Sequence, residues 1–129
     1  MELHAQSRGR VGEYFAAYVL ESNGVETHRV DVHHSDLWCR VDKTLVMVEV
    51  KSVSAPKAYG NNVSLKYHFN VNAKKQGWFC FVALDRQLLL LRPVSSIRGK
   101  TSLAVLPEEF NAENQRRTIE EFRRVVNLS

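Results

Sequence analysis

The sequence is poor in the features that mark secreted, membrane-spanning and zinc-finger proteins. Its two cysteines, Cys39 and Cys80, can build neither a disulfide framework nor a four-cysteine zinc site. Its apolar runs, Leu88 to Leu91 among them, are far too short to span a bilayer. The opening residues Met1-Glu2-Leu3-His4-Ala5-Gln6 lack the basic-then-apolar order of a signal peptide. No repeat, low-complexity tract or long linker divides the chain. Charge of one sign is also scarce: 18 Lys and Arg against 14 Asp and Glu leave +4, compatible with a nucleic-acid partner but too little to establish one. What is present is ordinary, with 44% hydrophobic and 25% charged residues in 129, the composition of one folded domain spanning residues 1–129. The expected location is intracellular, in the cytoplasm or nucleoid.

Hydrophobic periodicity divides the chain into elements. From Ser7 to Glu21 the residues Val11, Tyr14, Phe15, Tyr18 and Val19 fall on one helical stripe, with Ser7 as the expected N-cap and Gly24 as the stop. The period then becomes two. Val25 to Val32, Leu37 to Val41 and Thr44 to Val50 read as strands, the last two joined through Asp42-Lys43. A loose segment from Ser52 to Asn62 precedes the alternating run Val63 to Val71. Trp78 to Leu84 and Leu88 to Arg92 read as a hairpin. Ala112 to Leu128 reads as a helix with Ile119, Phe122 and Val126 on one side. Helix, mixed sheet and helix imply an α/β (α+β) fold with a central, mostly antiparallel sheet flanked by helices.

The tight hairpin brings charged residues together. With a two-residue loop, partners have residue numbers that sum to 85, as Val41 and Thr44 do, so Asp36 lies opposite Glu49. Lys51 points the same way, two residues on. The other face collects Leu37, Cys39, Val41, Val46, Val48 and Val50, the expected core side. A three-residue loop would instead put the two acids on opposite faces. Like charges directly opposite destabilise a sheet unless a cation lies between them. Carboxylate oxygens suit a hard ion such as Mg²⁺, which takes one or two carboxylates, keeps waters and binds phosphate. Such a set fits phosphodiester hydrolysis, although an Asp at a strand start and a Glu-Val-Lys also occur as solvated edge residues.

Gly12-Glu13 on a first helix, Asp36-Leu37, and Glu49-Val50-Lys51 after the twelve residues Leu37 to Val48 resemble the PD-(D/E)XK nuclease superfamily. Within it the spacing is similar to archaeal-type Holliday junction resolvases and to small phage- or intron-associated endonucleases. The stretches Lys66 to Asn70, Trp78 to Asp85 and Leu91-Arg92-Pro93 also resemble the second group. The resemblance covers roughly residues 7–97. It implies a restriction-endonuclease-like α-β-β-β-α-β core and Mg²⁺ as cofactor, with Mn²⁺ able to substitute. Asp36 and Glu49 become metal ligands with the Val50 carbonyl, Lys51 the catalytic lysine, and Glu13 a helper acting through water or a second ion. Ser35 stands where the family has proline, a residue that shapes a turn and supplies no ligand.

The expectation is therefore a Mg²⁺-dependent DNA endonuclease on branched or duplex DNA, resolvase-like first, with a homing-type enzyme of phage or intron origin as the alternative. A nuclease fold that only binds DNA is a third reading. Arg8 and Arg10, just ahead of Glu13, are candidate phosphate contacts. Trp38, on the Asp36 face, is a candidate wall or base contact, or else packs beneath the first helix. Lys66 and His68 lie on a polar strand face that could meet a DNA backbone. His33 and His34 point to opposite faces if they lie on a strand, which disfavours joint ligation. Arg116, Arg117, Arg123 and Arg124 read as a solvated helix face, and both thiols as small buried hydrophobes. A two-fold homodimer would cut a symmetric substrate, with Val63 to Val71 or the apolar side of the last helix as its surface.

Overall fold

The first helix stops where the chain can turn left-handed. In the computed structural model, which describes residues 4–32, 35–60, 64–71, 76–97 and 99–127, helix α1 spans Ala5–Ser22. Gly24 follows with φ +81°. The amides of Gly24 and Val25 bond the carbonyls of Glu21 and Leu20 at 3.0 and 2.9 Å, the paired bonds of a Schellman motif. Leu20 and Val25 are buried together beneath it. The other end starts earlier than expected: His4, not Ser7, holds the cap position, without a side-chain cap bond. The Arg8 amide reaches the His4 carbonyl at 2.8 Å, which places Ser7 inside the first turn.

Among the described residues seven strands follow: β1 (Glu26–Val32), β2 (Ser35–Val41), β3 (Thr44–Val53), β4 (Tyr67–Asn70), β5 (Trp78–Ala83), β6 (Leu88–Pro93) and β7 (Ser102–Val105). Helix α2 (Ala112–Asn127) closes the chain. The main sheet runs β1-β2-β3-β5-β6, with β4 and β7 paired apart from it. Every neighbour in the main sheet is antiparallel except β3 and β5, which run parallel. The mixed, mostly antiparallel sheet with its two helices is the expected fold class. A parallel pair needs a long crossover, usually helical. Here β4 lies on that path, and no helix occurs between β3 and β5 among the described residues, a departure from the α-β-β-β-α-β order.

Alternation sorts the side chains into two cores. Leu37, Cys39, Val48, Cys80, Val82, Leu89 and Leu91 pack against Ala16, Val19 and Leu20 of α1 and Ile119, Phe122 and Val126 of α2. Both helices thus cover the same face. On the other face Phe79, Phe81 and Leu90 meet Tyr67, Phe69 and Phe110 of the segment around β4 and β7. The Tyr67 hydroxyl donates to Asp85 at 2.9 Å, tying β4 to the β5–β6 turn. Burying a side chain such as Phe122 contributes roughly 1.5–3 kcal/mol. Both thiols are free and buried; burial pushes the Cys39 thiol up to about 11 and raises that of Cys80 as well.

Most of both surfaces expected for a dimer is used in packing among the described residues, Leu65 being exposed. The apolar side of α2 lies in the first core, and Tyr67, Phe69 and Val71 of the alternating run lie in the second. That run pairs as a strand over only four residues, Tyr67–Asn70; its first residue, Val63, lies outside the described residues. Among the described residues no helix is long and apolar enough to cross a membrane.

The buried stripe of α1 also differs from expectation. Ala16, Val19 and Leu20 are buried, whereas Val11, Tyr14 and Tyr18 are exposed. Small residues decide this: a Cβ on Gly12 would overlap Ser52 Oγ of β3, so helix and strand meet backbone to side chain. Gly12→Ala is expected to destabilise the fold by about 1–3 kcal/mol through overpacking. Ser52→Ala, which removes a buried hydroxyl lacking a hydrogen-bond partner, is expected to be neutral or stabilising by up to about 1 kcal/mol. Urea unfolding of the two variants measures both signs at one contact.

Candidate active site

The β2–β3 hairpin has the two-residue register: Val41↔Thr44 through Leu37↔Val48 are partners. Asp42 supplies the tight turn with φ +54°, a left-handed conformation that a short polar side chain tolerates. One step beyond Leu37, the Asp36 carboxylate takes the Val50 N–H at 2.8 Å, so the acid is tied to the strand that carries Glu49 and Lys51. On its other side the β1–β2 pairing shifts between Arg29 and Val32. Such a bulge bends a strand and re-aims side chains near its end.

Around this point lies a cleft of about 340 Å³ lined by Arg10, Glu13, Arg29, Val30 and Asp36. Helix α1 supplies Arg10 and Glu13 one turn apart. Lys51 Nζ pairs with Glu49 Oε2 at 2.9 Å, both groups half-shielded from water. The Asp36 carboxyl is raised above its ordinary value, mainly by burial and further by the Glu13 and Glu49 carboxylates. The Val50 amide and Lys51 pull in the opposite direction. Glu13, Asp36, Glu49 and Lys51 therefore share one electrostatic neighbourhood.

Several other expected residues lie apart. Trp38 is half-buried on β2, pairing with Met47 on the strand register. Its face is opposite that of Leu37 and Cys39, so it does not pack beneath α1. Arg8 is half-buried two residues before Arg10. Lys66 bridges to Lys57, and His68 sits edge-on against Tyr59 at 4.2 Å between ring centroids; neither lines the cleft. His33 and His34 lie outside the described residues.

Arg29 was not among the expected site residues. Its guanidinium meets Glu13 Oε1 at 3.2 Å and lies 4.0 Å from the Tyr14 ring centroid. The sequence carried a signal for it: Arg29 pairs with Leu37 and Thr27 with Cys39, so a charged residue occupies the core-facing set of β1.

As to a metal, the donor set is two carboxylates with a third nearby. Among the described residues no three His, Cys, Asp or Glu side chains converge as a cage. Mg²⁺ asks for no such cage, only one or two carboxylates and water. The mutual repulsion felt at Asp36 is what a bound cation would relieve, so the residues fit a hard divalent ion.

The layered arrangement is a five-stranded mixed sheet with both helices on one face and a cleft of mixed charge beside Asp36. Among solved structures the chain is similar to a bacterial homing endonuclease, I-Ssp6803I, with a TM-score of 0.68 at 13% identity, over 98% of this chain and 94% of that one. No family model and no curated protein matches the sequence.

The raised Asp36 carboxyl has a stability consequence. The folded chain holds this proton more tightly than the unfolded chain, so between the ordinary carboxylate value and the raised one stability falls as pH rises. Asp36→Asn keeps an oxygen for the Val50 amide. It is expected to stabilise the metal-free protein near neutral pH by on the order of 1 kcal/mol or less, the effect fading toward about pH 3. Urea unfolding of both proteins at the two pH values checks it.

Proposed function

We propose that this protein is a metal-dependent DNA endonuclease that hydrolyses phosphodiester bonds, of the homing type rather than a junction resolvase. The observation that carries the reading is the crowding at Asp36, where two other carboxylates and Lys51 act on one half-buried acid. The preference for the homing type rests on the similarity to a homing endonuclease along nearly the whole chain. A resolvase is favoured only by the motif spacing, and a pure binding module would have no use for a destabilising acid cluster.

Asp36 and Glu49 would hold the ion, with the Val50 carbonyl as a further oxygen. When bound, a divalent ion lowers the pKa of a coordinated water and offsets charge on the phosphate. The remaining work falls to the chain. Glu49 holds Lys51 beside the acids, and the ammonium is placed to stabilise negative charge growing on the phosphate oxygens. Asp36 is oriented by the Val50 amide. Glu13 is fixed by Arg29 and can take or relay a proton through water. Arg10 and Arg29 supply guanidinium donors to the same cleft, suited to a DNA phosphate. The substrate is DNA, and assembly as a homodimer belongs to the proposal through a surface other than those used by the two cores.

A substrate panel in Mg²⁺ and Mn²⁺ tests the reading, with linear duplexes and a four-way junction of matched sequence. Duplex cleavage is expected, with Asp36→Asn and Lys51→Ala each slowed about 100-fold or more. Junction-selective cutting would replace the homing assignment with a resolvase; binding with no cutting of any DNA would leave a binding module. Mg²⁺ at about 100 times its Kd is also expected to stabilise the wild type by about 2.7 kcal/mol and Asp36→Asn by much less, read by thermal unfolding.

A further inference from the structure

The segment that joins β3 to β4 sets two lysines directly opposite each other. Lys57 and Lys66 form an isolated antiparallel bridge. The Lys57 amide bonds the Lys66 carbonyl at 2.8 Å, and the Lys66 amide bonds the Lys57 carbonyl at 3.0 Å. Residues so paired project to the same side with Cβ atoms about 5 Å apart, and like charges in that position weaken the pairing. Neither lysine forms an ion pair among the described residues. The main-chain bonds account for the bridge. They do not account for a cation on both sides of it.

The same face continues along β4. Tyr67 and Phe69 turn into the second core, so Lys66 and His68, of the other parity, point away from it. Across the β4–β7 register His68 stands opposite Ala104 and Asn70 opposite Ser102, the last three exposed. Among these outward residues there is no acid. Glu109, just past β7, is engaged by the Leu106 amide at 3.0 Å and faces Arg92 at 3.9 Å. Tyr59 is 56% exposed, its ring edge-on to His68. The β4–β7 pair packs on the main-sheet face that carries Phe79 and Phe81, the register partners of Glu49 and Lys51. The lysine pair and the Glu49–Lys51 pair therefore lie on the same side of that sheet. Lys57 is six residues beyond Lys51 in the chain, a reach of at most about 22 Å. A protein–DNA interface of about 1,000–2,500 Å² spans such a distance.

We propose that the outward face bearing Lys57, Lys66, Tyr59 and His68 is a docking surface for the sugar–phosphate backbone of duplex DNA. An ammonium is a compact point charge that contacts phosphate without reading a base. A phosphate beside the two lysines offsets the repulsion across their bridge. The proposal rests on the endonuclease reading for its DNA ligand, but its test needs no cleavage. Labelled duplex DNA is titrated in EDTA by fluorescence anisotropy across a salt series. The proteins are wild type, Lys57→Ala, Lys66→Ala, their double variant, Lys57→Glu, and as control Lys43→Ala, at the exposed β2–β3 turn. Each alanine at 57 or 66 is expected to weaken binding to any sequence and to reduce the log–log salt slope by about 0.9 for every phosphate no longer neutralised. Lys43→Ala is expected to leave both as in wild type.

Lys57→Glu separates binding from folding. It sets opposite charges across the bridge, so its Tm at low salt is expected to equal or exceed that of wild type while its DNA affinity falls below that of Lys57→Ala. Weaker DNA binding accompanied by a lowered Tm in this variant would mark a merely structural role and overturn the proposal. So would wild-type affinity and slope in the double variant, or an equal loss from Lys43→Ala. Normal DNA cleavage alongside an unchanged slope in the double variant strikes this surface and leaves the endonuclease reading intact. A protein that binds DNA through these lysines yet cuts none overturns the endonuclease reading and leaves this one standing.

Discussion

The hydrogen bond from the Val50 amide to the Asp36 carboxylate organises the end of the sheet where the charged groups gather. It ties β2 to the stretch of β3 that bears Glu49 and Lys51, at the end where the β1–β2 register slips. An acid placed there cannot escape its neighbours. Burial and two further carboxylates act on it together, and only one amide and one ammonium oppose them. The fold accepts a local electrostatic penalty, and an accumulation of oxygen donors that repel one another is what a divalent cation resolves. On the proposed reading, folding and chemistry make opposite demands on one side chain.

The layers explain how the fold sustains that penalty. Both helices lie on one face of the sheet, and the β4–β7 pair packs on the other face. Buried apolar residues flank the acids directly: Leu37 follows Asp36 and Val48 precedes Glu49 in the chain, and Phe79 is the register partner of Glu49. Gly12 lets α1 settle closely on β3, which carries Glu13 to the edge of the cleft, where Arg29 holds it. The same close approach leaves Tyr14 exposed on the helix surface, with the Arg29 guanidinium against its ring. Helix packing and site geometry are thus set by the same few small and charged residues.

Much of the fold was legible in local pattern. Alternation in β2 and β3, the continuous apolar run of β5 and the helical period of α2 specified those elements, because their apolar sets are long and regular. The two-residue turn fixed the β2–β3 register, and with it the proximity of Asp36 and Glu49. Elsewhere the pattern misled. In α1 the large residues Val11, Tyr14 and Tyr18 form a regular stripe, yet glycine and alanine face the sheet, since closeness of approach outweighs side-chain size. β7 is a short strand with half of its residues exposed, too weak a pattern to mark itself. Arg29 was visible only as a charge in a core-facing position, and its partner Glu13 lies sixteen residues away in the chain.

The sequence alone indicated most of the element types and, for a two-residue loop, the side of the hairpin that carries Asp36, Glu49 and Lys51, because these depend on neighbours one turn or one strand away. Tertiary structure decided which helix face is buried, that both helices share one side of the sheet, and that Arg29 locks Glu13. These depend on how packed layers bring distant segments to a common surface, and no local period encodes that distance.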